Sequence, residues 1–62
     1  MPEYVSIQII IVNPRNGREI DKHPRVPYNW TGKVIRERFG IAEHLSIYRE
    51  EDGQRILISA GR

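Results

Sequence analysis

Sixty-two residues carry ten Lys+Arg against eight Asp+Glu, a formal net charge of +2, and no cysteine. A chain this short buries only roughly 60% of the surface its unfolded form exposes, so it holds one thin core in a single domain spanning 1–62, with no disulfide or thiolate metal site to staple it. The small charge excess permits nucleic-acid contact without requiring it, and the longest apolar run, Ile9-Ile10-Ile11-Val12, falls far short of the ~20 residues that span a bilayer.

Val5 to Val12 reads as a strand, because β-branched residues dominate it and polar Ser6 and Gln8 alternate with apolar positions. Alternation then fails at Ile9 to Val12. With Val5, Ile7, Ile9 and Ile11 sharing a core, Ile10 and Val12 point to the opposite face, which is either covered or used. Asn13-Pro14-Arg15-Asn16-Gly17 supplies turn chemistry, and a second strand is expected at about Arg18 to Lys22. Ile20 is its one strong apolar position, and Pro24 and Pro27 follow, so this strand belongs at a sheet edge.

A short amphipathic helix is expected to end at about Phe39, with Asn29 or Thr31 as its cap, Trp30 stapling back onto Ile35, and Gly40 as the stop. At 100° per residue Trp30, Val34, Ile35 and Phe39 fall on one arc, and Lys33, Arg36 and Glu37 lie opposite. Arg38 falls inside the apolar arc, where snorkelling and the helix dipole account for it. Leu45 to Glu50 alternates again, Glu51-Asp52-Gly53 turns the chain, and Arg55 to Ser59 is the last strand, with a second break of alternation at Ile56-Leu57-Ile58.

The element order is therefore ββαββ, an α+β arrangement whose simplest form is one four-stranded sheet with the helix on one face. Because the first and last strands are the most apolar, they are expected in the middle, giving a mixed sheet of order 2-1-4-3 with strands 1 and 4 parallel. That order, length and pattern resemble the β-grasp family, which includes ubiquitin and minimal ββαββ domains. The resemblance covers nearly the whole chain and implies protein binding through an apolar patch on the outer sheet. The C-terminal half has a second resemblance. Phe39-Gly40-Ile41-Ala42-Glu43, Leu45-Ser46-Ile47-Tyr48, Asp52-Gly53 and Ile56-Leu57-Ile58 are similar to the AbrB/SpoVT swapped-hairpin DNA-binding dimers.

Two surfaces follow. Ile10, Val12 and Leu57, with Tyr4 and Tyr48 as neighbours, form the candidate protein-binding patch, unless a terminus or loop covers them. Arg15, Arg18, Lys22 and Arg25 cluster around the first hairpin. They would contact DNA in an AbrB/SpoVT-like homodimer, or else form an ordinary solvated edge with Glu19 and Asp21 interleaved. Eight of the ten basic residues are arginine, which suits bidentate contacts to carboxylate or phosphate.

Glu50, Glu51 and Asp52 make an acidic tip that could receive a basic partner or simply be a solvated turn. His23 and His44 lack metal-ligand spacing, no nucleophile sits beside a base, and no cofactor is expected. The Gly61-Arg62 ending differs from the Gly-Gly tail that ubiquitin-like conjugation needs, and Met1 to Tyr4 lacks the parts of a signal peptide. The expectation is a cytoplasmic, non-catalytic adaptor, inhibitor or regulator that binds another protein or a second copy of itself. The alternative is a DNA-binding regulator.

Overall fold

A computed structural model describes residues 6–62. Its elements run β1 (Ser6–Asn13), β2 (Arg18–Pro27), α1 (Gly32–Phe39), β3 (Ser46–Glu51) and β4 (Gln54–Ser59). The four strands make one sheet of order β2-β1-β3-β4, and every neighbouring pair is antiparallel.

This corrects the expected order 2-1-4-3 and its mixed sheet. No parallel pair lies at the centre, and β1 and β4 are not neighbours; β3 stands between them. Apolar content alone misplaced β3. It carries Arg49 and Glu50 yet occupies the centre, with Ile47 fully buried and Ser46 only 4% exposed. The sheet does not have the strand order that the β-grasp resemblance implied. The placement of β2 at an edge holds.

β2 is twice the expected length, and its irregularities explain how it passes Pro24. His23 faces Ile9 and Val26 faces Ile7, so Pro24 and Arg25 together oppose Gln8 in a bulge where no ladder donor is needed. A second register shift, between Ile11 and Val12, leaves Ile20 without a partner between Glu19 and Asp21. Ile20 is consequently exposed, and the core residue of β2 is Val26, beyond the expected end of the strand.

The two hairpins are closed by local chemistry. In the first, Asn13 Oδ1 accepts from the Arg15 N–H at 3.0 Å and Gly17 N–H donates to the Asn13 carbonyl at 2.7 Å. In the second, Glu51 faces Gln54 across a two-residue loop, with φ of 53° at Asp52 and 77° at Gly53. Positive φ at both positions matches the twist of the flanking strands, which is why Asp-Gly serves here.

Thr31 caps α1, its Oγ1 accepting from the Val34 N–H at 3.3 Å, and Gly40 ends the helix with φ 63°. The helix links β2 to β3 and passes the intervening β1 on one face of the sheet. Beneath it Ile9, Ile11, Val26, Ile35 and Ile47 form the core, with Ile7, Trp30, Ile41, Leu45 and Ile58 packed around it. Among the described residues no helix is long and apolar enough to cross a membrane.

Candidate protein-binding edge

Strand parity and register define the face of the sheet opposite the helix. Lys22, Ile10, Tyr48 and Leu57 form one row across all four strands, and Glu19, Val12 and Ser46 face one another two residues further along β1. The residues expected to make a patch are therefore neighbours on this face, but they are not all exposed. Ile10 is 0% and Val12 7% exposed, whereas Leu57 is 51% exposed and Tyr48 is half-buried. Ile10 and Val12 thus have to be withdrawn from the binding patch. Tyr4 lies outside the described residues.

A polar pair spans this face from edge to edge. Arg55 on β4 places an Nη 3.1 Å from Glu19 Oε1 on β2, and Lys22 Nζ lies 3.7 Å from the other Glu19 oxygen. On a flat sheet β2 and β4 stand about 14 Å apart. Their side chains meet only if both lie along the face and the sheet edges curl toward each other. The side chains of Lys22, Arg55 and Glu19 remain 51%, 46% and 37% exposed. This strap crosses the face on which Ile10 is buried without a helix above it.

The helix face has its own polar devices. Arg36, expected on the solvent side of α1, is half-buried and acts as a clamp. It donates to Ser59 Oγ at 3.1 Å and to the carbonyls of Ala42, Leu45 and Ala60 at 2.7, 2.7 and 3.3 Å. These bonds tie the helix to the 42–45 turn and to the C-terminal tail, whose carbonyls have no strand partner.

The tail is held again where Gly61 N–H donates to Ser46 Oγ at 2.8 Å and Arg62 N–H to the Glu43 carbonyl at 2.9 Å. A Cβ at Gly61 would collide with the His44 carbonyl, so this close approach admits only glycine. Between tail and helix lies an open groove of about 850 Å³ whose walls include Lys33, Arg36 and Arg62. Arg38 lies over Trp30 with Cζ 5.5 Å from the ring centroid, and Phe39 stacks on His23 at 4.0 Å, closing the far end of the core. Arg49, facing Ile9 and Ile56, pairs with Glu51 at 3.8 Å, and its Nε is buried without a hydrogen-bond partner.

The four hairpin cations do not form one surface. Arg15 and Arg18 sit at the first turn, Lys22 is engaged by Glu19, and Arg25 lies seven residues beyond Arg18, about 23 Å along an extended strand. His23 is 3.4 Å from Asp21. Among the described residues no three His, Cys, Asp or Glu side chains converge to hold a metal ion.

The two sheet edges differ sharply. β2 carries prolines at 24 and 27, two bulges and a run of charged side chains, all devices that prevent strand addition. β4 has no proline and a single register shift, at Ile58 opposite Ile47 and Tyr48, and among the described residues no strand lies beyond it. It presents Ile56, 39% exposed, on the helix face and Leu57, 51% exposed, on the outer face. No protein-family model matches this chain, and neither a curated protein nor a solved structure matches it.

Proposed function

We propose that this chain is a small non-catalytic protein-binding module that takes its partner by strand addition at β4. The observation that carries this reading is the pair of large apolar side chains, Ile56 and Leu57, exposed on opposite faces of one open edge. A partner laid on either face of the sheet would cover one of them. An added strand covers both and satisfies the outward backbone N–H and C=O groups of β4. Tyr48, beside Leu57 in the same row, extends the outer contact.

The test is an NMR titration of the isotope-labelled protein with a short alternating Thr-Val peptide. Shift changes centred on the amides of residues 54–59, and abolished by Leu57→Lys, support the reading. Changes centred on β2, or none along β4, overturn it.

A further inference from the structure

We propose that Asn16-Gly17, in the turn of the first hairpin, is a site of spontaneous covalent modification. There the Asn16 side chain closes onto the Gly17 nitrogen and reopens as aspartate or isoaspartate. The site belongs to the β1–β2 turn and does not depend on what binds β4.

The reaction needs a side-chain amide, a backbone N–H on the next residue and little bulk between them. The chain has three asparagines, and the residue after each one separates them. Asn13 precedes Pro14, which has no N–H with which to attack. Asn29 precedes Trp30, whose side chain crowds the ring and whose N–H donates to the Pro27 carbonyl at 3.2 Å. Asn16 precedes a glycine. A Cβ at Gly17 would meet nothing within 4 Å, so the approach is open as well as unbranched. Arg15, Asn16 and Gly17 are all exposed, in the kind of loop tip where a chain opens most readily.

Two hydrogen bonds of the turn act on the reaction in opposite senses. Arg18 N–H donates to Asn16 Oδ1 at 2.9 Å, which polarises the amide and stabilises negative charge on that oxygen once the carbon becomes tetrahedral. Gly17 N–H donates to the Asn13 carbonyl at 2.7 Å, so the nucleophile is occupied until the turn opens. On opening, Gly17 N gives its proton to solvent base and bonds to Asn16 Cγ. The bond from Cγ to the side-chain nitrogen breaks, and ammonia leaves with a proton from solvent. Water then opens the five-membered imide at either carbonyl, giving aspartate in one case and isoaspartate in the other.

Either product places a carboxylate beside Arg15 and Arg18 and lowers the formal net charge of +2 by one. Isoaspartate also routes the main chain through the β-carbon, adding an atom to the loop that closes the Asn13↔Arg18 pair. The Gly17 and Arg18 bonds are set for the shorter loop, so the isoaspartyl hairpin loosens at that pair. The turn is thus a one-way clock on the attachment of β2. Asp52-Gly53, in the second hairpin, is the slower counterpart, because a carboxylate is a poorer electrophile than an amide.

The test incubates the folded protein at mildly acidic and mildly alkaline pH and maps its peptides by mass and by isoaspartyl labelling. Asn16 is expected to gain the mass of an acid, faster at alkaline pH, while Asn29 lags and Asn13 is unchanged. Unfolding in urea frees the Gly17 nitrogen and should speed conversion by about fivefold, the worth of one net hydrogen bond. The isoaspartyl form, separated by ion exchange, should show faster amide exchange at Asn13 and Arg18 than Asn16→Asp, which carries the same charge without the extra atom. Asn16 lasting as long as Asn29 in the folded protein, or Asn16→Gln gaining isoaspartate as fast as wild type, overturns the site. Equal exchange in the isoaspartyl form and Asn16→Asp overturns the clock.

Discussion

Ile9 to Val12 is at most 7% exposed, whereas Ile56 and Leu57 keep 39% and 51% of their surface, although both stretches are unbroken runs of large aliphatic side chains. Strand position separates them. β1 is central, flanked by β2 and β3, with the helix over one face and the Glu19–Arg55 strap over the other. β4 is flanked on one side only. Failure of alternation therefore has two meanings in one small protein: burial on both faces in β1, and an unoccupied edge in β4. A sequence pattern reports that a second face is apolar, and the fold decides whether the molecule or its partner covers it.

The comparison is broken most decisively at Ile10. Burying an unpaired ammonium in Ile10→Lys should cost on the order of 4 kcal/mol, a large part of the roughly 3–9 kcal/mol total expected for a domain of this length. Loss of the cooperative thermal transition by circular dichroism is the expected result, and a folded Ile10→Lys protein would show that the outer face is open after all.

Arg36→Ala removes four hydrogen bonds and leaves the Leu45 carbonyl without its donor, for an expected loss of about 2–4 kcal/mol by urea denaturation. Because the clamp holds the tail, amide exchange at Gly61 and Arg62 should accelerate before the rest of the sheet does. Arg55→Gln cuts the strap, whose ends are half-exposed, so only about 0.2–1 kcal/mol of stability should go, with a smaller effect in high salt. Leu57→Lys should lie within about 0.5 kcal/mol of wild type in stability while losing association. If Leu57→Lys unfolds the protein, the contrast between the two runs disappears.

Local structure was legible because local chemistry carries it. Asn13 to Gly17, the Thr31 cap, the Gly40 stop and the Asp52-Gly53 turn each depend on a side chain or a φ value that the residue type announces. The outer-face grouping of Ile10, Tyr48 and Leu57 was also readable, since parity alone defines it. Strand order was not. Arg49 and Glu50 made β3 resemble an edge, yet Arg49 lies on the helix face between Ile9 and Ile56, partly shielded from water and paired with Glu51.

The burial of Ile10 and Val12 was hidden for a related reason. The ion pair that crosses their face joins Glu19 and Arg55, which are 36 residues apart. Arg36 was read as a solvated helix residue because a helical wheel sees only one element. The signal that could have found it is the short Ser59-Ala60-Gly61 tail, whose backbone acceptors need a donor from elsewhere.

The order β2-β1-β3-β4 also governs how the chain reaches this structure. Each hairpin closes between residues near in sequence, on a timescale of about 1–10 µs. The β1–β3 seam instead joins Gln8–Val12 to Ser46–Glu50, segments separated by the second strand and the helix. Loop-closure entropy therefore falls most heavily on that seam. Until it forms, Ile9 and Ile47 lack the neighbours that bury them in the folded sheet.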